Sequence, residues 1–208
     1  MNIVSYLKDI YGYGTPIFLK DIRIGRKSKT AIRKELSRAV KDKKIIRRSQ
    51  GVYYFKEDKE FPRLVSFEDI ITKKYVRDDY GIPGMGFFVY GYYSGLTFLN
   101  HFGISQQVPA ILEITTNNTS CKRMININGR RAIIRKAKTE INYQNWKILQ
   151  FLEMFYLLNE DDVKEYKESL AKYIEKNFTK LDFTNYIRFF SNKIMKLIVE
   201  GGLIHAFR

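Results

Sequence analysis

Apolar residues recur at helical spacing near the start of the chain, at Ile3, Val4, Leu7 and Ile10, and Gly12 and Gly14 end the run. Pro16 then precedes Ile17-Phe18-Leu19-Lys20-Asp21-Ile22, a predicted short second helix or turn, and Ile24-Gly25-Arg26-Lys27 makes a bend. From Ser28, a natural N-cap, Ile32, Leu36, Ala39 and Val40 line up as one apolar stripe of a third helix. Ile45 and Ile46 lead through Arg47-Arg48 and the Gln50-Gly51 turn into Val52-Tyr53-Tyr54-Phe55, a β-rich hairpin. Helix, short helix, tight turn, helix and hairpin in this order predict a winged helix-turn-helix over residues 1–60.

The pattern changes after the charged stretch KEDKEFP (56–62), which reads as a linker because Pro62 disfavours helix in Phe61. A helix is expected over Ser66 to Tyr80, with Ser66 and Asp69 as a capping box and Phe67, Ile70, Ile71 and Tyr75 on one face. Gly81, Gly84, Gly86, Gly91 and Gly95 are interleaved with aromatic residues, as in a turn feeding a buried aromatic strand. Ser94 can cap a short helix with Leu96, Leu99 and Phe102 facing inward and Gly103 closing it. Ala110 to Thr116 reads as a strand, and Arg123 to Ile127 and Arg130 to Ile134 as a hairpin across Asn128-Gly129. Helices are expected over Trp146 to Leu158, Asp162 to Asn177 and Phe183 to Val199, the last stopped by Gly201-Gly202. The expected class is therefore α+β: a winged helix-turn-helix, then a mixed domain over residues 61–208 with a small antiparallel sheet and C-terminal helices.

Charge sharpens the first half of that picture. Between Lys20 and Gln50 thirteen Lys or Arg face three acids, which supplies +10 of the formal net charge of +15. The face of the third helix opposite its apolar stripe carries Thr30, Lys34, Ser37, Arg38 and Lys41, with Arg33 on its shoulder and no acid. Lys, Arg, Ser and Thr are the donors that reach phosphates and guanine edges, so the segment points to nucleic acid. A second basic stretch, Lys122 to Lys138, holds seven cations and no acid. It is either a sheet edge guarded against strand addition or a second anion-binding surface.

Chemistry-bearing constellations are absent by spacing. Gly81-Ile82-Pro83-Gly84-Met85-Gly86 lacks the strand, helix and lysine of a phosphate loop. The two histidines, His101 and His205, have no metal-ligand spacing with another His, Cys or paired carboxylate. Asp78-Asp79 and Asp161-Asp162 read as helix-end residues, and Cys121 has no base partner. A single cysteine excludes a disulfide framework and a cysteine-based zinc site, and no apolar run reaches about 18 residues. A non-enzymatic, cofactor-free, cytoplasmic protein without signal peptide or membrane span is expected.

The basic winged segment with R-R-x-x-G-V-Y-Y-F at Arg47 to Phe55, the linker with Pro62, and S-G-x-x-x-L-N-x-x-G-I-S-x-Q-x-P-A from Ser94 to Ala110 together carry a family likeness. Over about residues 12 to 140 the chain resembles the AbiEi/AbiGi family of abortive-infection antitoxins. That resemblance implies a repressor of its own operon, bound to inverted repeats in the promoter. It also implies an antitoxin counteracting a nucleotidyltransferase-like toxin encoded beside it, with relief residing in the C-terminal domain and no stable antitoxin–toxin complex.

In a winged helix-turn-helix the third helix enters the major groove, so Lys29, Thr30, Arg33, Lys34 and Ser37 are expected at base edges. Arg38, Lys41, Arg47 and Arg48 are expected on phosphates and Gln50 at the wing tip, with Lys27 also among the DNA-binding residues. Two copies would cover inverted repeats, as a dimer or as neighbouring monomers. An RNA-binding regulator is the alternative, using Tyr53, Tyr54, Tyr92 and Tyr93 to stack on bases. A further alternative makes the second domain a nucleic-acid-modifying enzyme dependent on Asp161 or His101.

Overall fold

Asn2 accepts the Val4 N–H at 2.9 Å and so starts α1 (Ile3–Tyr11), which buries Ile3 and Leu7. The computed structural model describes residues 2–57, 60, 62, 64–78 and 88–208. Gly12 and Gly14 turn the chain at positive φ, and Ile17–Phe18 continue as β1. This corrects the expectation of a second helix and, for Ile17 and Phe18, that of a turn. Both residues are buried in extended backbone, pairing antiparallel as Ile17 with Tyr53 and Phe18 with Val52. Only a turn over Leu19 to Asp21 follows, fastened by Asp21 N–H to Phe18 O and by Leu19 N–H to Gly51 O, each 2.9 Å. Pairing with a distant strand has overridden a short apolar run, whose periodicity does not separate helix from strand.

Ser28 Oγ accepts the Ala31 N–H at 3.2 Å, and α2 (Lys29–Lys41) follows with Ile32, Leu36 and Ala39 buried. The chain returns as β2 (Ile46–Ser49) and β3 (Val52–Tyr54) around Gly51, whose φ of 73° a side chain would strain. The three strands lie in the order β1-β3-β2. The stripes of α1 and α2 meet Ile17, Ile45 and Tyr53 in one apolar core.

The capping box forms as expected: Asp69 N–H donates to Ser66 Oγ at 3.0 Å and Ser66 N–H to Asp69 Oδ2 at 2.8 Å. It opens α3 (Phe67–Tyr75), with Phe67, Ile70, Ile71 and Tyr75 buried. The helix stops at Tyr75 rather than near Tyr80, because Arg77–Asp78 become β4 and pair with β5 (Phe88–Val89). The chain divides into two units, Met1–Lys73 and Lys74–Arg208.

In the second unit, β6 (Gly91–Tyr93) leads to α4 (Gly95–Phe102), closed by left-handed Gly103. Leu99 is buried as expected, but Leu96 is 47% exposed. Next come β7 (Ile111–Thr116), β8 (Arg123–Ile127) and β9 (Arg130–Lys136). Asn128 and Gly129, both at positive φ, make the tight turn between the last two. The sheet order is β6-β7-β9-β8, with β7 and β9 parallel. The expected antiparallel sheet is therefore a mixed one: β9 inserts between β7 and the strand it follows.

Five α-helices complete the unit: α5 (Trp146–Met154), α6 (Glu160–Glu165), α7 (Lys167–Asn177), α8 (Lys180–Ile187) and α9 (Asn192–Glu200). Two expected continuous helices are broken. Asn159 with Asp162 forms a capping box opening α6, which ends at Tyr166, and Thr179 with Asp182 forms another opening α8. Phe151, with no exposed surface, packs against Phe155, Tyr173 and Phe178 at the centre of this helical core. Among the described residues no helix is long and apolar enough to cross a membrane.

Candidate nucleic-acid interface

The amphipathic pattern of α2 turns Ile32 and Leu36 inward, so Thr30, Arg33, Lys34, Ser37, Arg38 and Lys41 are all exposed. Among the described residues no carboxylate pairs with Arg33, Lys34, Arg38 or Lys41. Glu35, the one acid of the helix, is turned away: Lys27 Nζ holds its two oxygens at 2.7 and 2.8 Å. The outward face is a row of uncompensated donors.

The other sequence-derived candidates divide into two groups. Arg47 and Gln50 are exposed on the hairpin, and Arg47 Nε reaches only Ser49 O of its own strand at 3.4 Å. Lys27, Lys29 and Arg48 are engaged within the fold. Lys29 Nζ donates to Lys20 O at 2.6 Å, tying the N-terminus of α2 to the preceding turn. Arg48 is half-buried and its Nε donates to Val65 O at 2.9 Å, so it clamps the hairpin rather than projecting from it. Arg26, exposed beside the entrance of α2 and without a partner among the described residues, joins the outward set. The bend Gly25-Arg26 ahead of the Ser28 cap was the signal for it.

The second basic segment is also sorted by its neighbours. Arg135 pairs with Glu113, and Arg123 donates to Tyr75 Oη at 3.0 Å. Lys138 bonds Tyr156 Oη and lies over the Tyr156 and Phe190 rings at 4.1 and 4.9 Å. Lys122, Arg130, Arg131 and Lys136 are exposed and without partners among the described residues.

The tyrosines named for base stacking are largely inside. Tyr53, Tyr54 and Tyr92 are 5%, 3% and 3% exposed, and Tyr93 is half-buried with His101 edge-on at 5.2 Å. Tyr92 Oη donates to Glu153 Oε2 at 2.7 Å while Thr115 Oγ1 donates to Glu153 Oε1 at 2.9 Å, a polar knot joining α5 to the sheet. Burial, then the Glu153 charge and that hydrogen bond, push the Tyr92 phenol well above its ordinary pKa.

His101 and Cys121 are exposed, Asp162 is spent on the α6 capping box, and Asp161 pairs with Lys164 at 3.4 Å. The glycine stretch 81–86 lies outside the described residues. Among the described residues no group of three His, Cys, Asp or Glu is arranged to hold a metal ion. Comparison with family models, curated proteins and solved structures found no match.

Proposed function

We propose that the first unit is a winged helix-turn-helix that binds duplex DNA, with α2 in the major groove and the β2–β3 hairpin as the wing. The observation that carries this reading is the outward face of α2: Thr30, Arg33, Lys34, Ser37, Arg38 and Lys41, all exposed, with no acid among them. The strand order β1-β3-β2 beside α1 and α2 supports it, the turn at Leu19 to Asp21 taking the place of the middle helix. In this reading Thr30, Arg33, Lys34 and Ser37 face base edges. Arg26, Arg38, Lys41 and Arg47 neutralise phosphates, Gln50 tips the wing, and Lys27, Lys29 and Arg48 hold the geometry of the turn and hairpin.

The wider role rests on the likeness to abortive-infection antitoxins: a cytoplasmic autorepressor on promoter inverted repeats that also relieves a nucleotidyltransferase-like toxin. Burial of Tyr53, Tyr54 and Tyr92 weighs against the alternative of base stacking by unpaired RNA.

The test is a titration of the purified full chain into its labelled upstream duplex and into a scrambled duplex of equal length at physiological salt. Tighter binding to the upstream duplex by a factor of about 10³ or more is expected. Equal affinities would overturn the repressor reading. Growth rescue on co-expression with the neighbouring toxin gene tests the second role separately.

A further inference from the structure

Strand β8 (Arg123–Ile127) is the last strand of its sheet, and among the described residues none pairs with its outer side. Every second residue of such an edge turns its N–H and C=O outward, unsatisfied by the sheet. On one sheet face, Met124 lies across from Ile133, which borders Glu113 on β7. Neither α4 nor α5 covers Met124, which is 58% exposed. A cavity of about 330 Å³ opens on the same face, lined by Leu96, Pro109, Ile111 and Ile133 among others. An apolar strip therefore runs from α4 to the free edge. Arg131 shares that face, across from Asn126, whereas Arg130 and Lys136 fall on the opposite one; these three and Lys122 are exposed, and none is neutralised by a carboxylate among the described residues.

We propose that this edge accepts an acidic extended segment of a partner protein as a fifth strand. Main-chain hydrogen bonds to Arg123–Ile127 would hold it, alternate apolar side chains would seat against Met124, and the carboxylates between them would face the exposed cations of the opposite face, Arg130 and Lys136. The charge chooses the occupant. A second copy of this chain would bring one acid-free segment with seven cations against another, whereas the same charges favour an acidic strand. A polynucleotide suits the site less: the outward N–H and C=O groups match a peptide edge, and the apolar strip offers a phosphate nothing. This assignment is independent of the DNA-binding reading, because it uses the second unit alone.

The experiment uses the full chain and pools of labelled ten-residue peptides in which Glu or Asp alternates with Val, Ile, Leu, Phe or Tyr. Matched pools carry Lys or Arg in place of the acids, or N-methyl groups on alternate residues of the acidic sequences. The acidic pool is expected to bind at least about tenfold more tightly than the basic and the N-methylated pools. Backbone amide shifts should centre on Arg123–Ile127. The double variant R130E/R131E, on exposed positions that carry no packing, should weaken binding by about tenfold. Absence of binding by the acidic pool overturns the proposal, and so does equal retention of the N-methylated pool, which would mark simple ion pairing. Displacement by single-stranded RNA with no amide response in β8, or a dimer joined through β8, overturns it equally.

Discussion

Glu113 Oε1 accepts the backbone N–H of Leu96 at 3.2 Å, so the carboxylate caps the start of α4 and lies over the bare Cα of Gly95. A Cβ at position 95 would fall on that carboxylate, and Gly95 already sits at φ +58°. The Ser94-Gly95 pair thus has a physical reason: one helix start, one strand carboxylate and Arg135 close on a point where a side chain has no room. Gly95→Ala should lower the unfolding free energy by about 2 kcal/mol, from the left-handed backbone and the displaced carboxylate. Urea denaturation followed by circular dichroism measures it, and an unchanged midpoint would refute the close approach.

On the α2 face, Arg33→Ala should cost about 1–3 kcal/mol on the upstream duplex and relax sequence preference. Lys41→Ala should weaken all duplexes alike and reduce the slope of affinity against salt by about one. Anisotropy titrations at several salt concentrations separate the two outcomes.

Lys27 and Arg38 carry the same charge but different expectations. Lys27 is already spent on Glu35, so Lys27→Ala removes no phosphate contact and should weaken DNA binding by less than about threefold, the freed Glu35 carboxylate accounting for what loss there is. Arg38→Ala, with no internal partner to lose, should weaken binding by about tenfold. Equal losses would mean that the Lys27–Glu35 pair opens on DNA.

Arg48→Ala should act on stability. Loss of its bond to Val65 O leaves a carbonyl unanswered, at about 1–2 kcal/mol in chemical denaturation. Affinity per folded molecule should stay within about twofold, as read from titrations corrected for the active fraction.

Tyr92 sets an alkaline limit. Its folded pKa lies above the unfolded value, so its contribution is complete below pH about 10 and fades as pH rises from there through the raised folded value. Near pH 11 the wild type should have lost about 1 kcal/mol more, relative to neutral pH, than Tyr92→Phe. Paired urea titrations at the two pH values give the difference, and parallel losses would place the phenol in water.

Much of the fold was legible where neighbours in sequence make the structure. The stripe Ile32, Leu36 and Ala39 under the Ser28 cap, the Ser66/Asp69 box and the Asn128-Gly129 turn all act within a few residues. The boxes at Asn159/Asp162 and Thr179/Asp182 were equally legible in principle, but they set only where α6 and α8 begin; the breaks that turn two expected long helices into four fall at Tyr166 and between Arg188 and Ser191. The exposure of Arg33, Lys34, Arg38 and Lys41 followed from helical periodicity alone, since a helix with one buried side must present the other.

Contacts between distant residues were decided only by the tertiary fold. Ile17 and Phe18 became strand because Tyr53 and Val52 offered them a ladder, and β9 slid between β7 and β8 because burial of Ala132 and Ile134 required neighbours on both sides. Arg48 was drawn from the expected DNA-binding set by a carbonyl seventeen residues away, and Arg135 from the second basic stretch by a carboxylate twenty-two residues away. Periodicity reports which way a side chain points, because that is local geometry; which group it meets depends on where the rest of the chain has been folded.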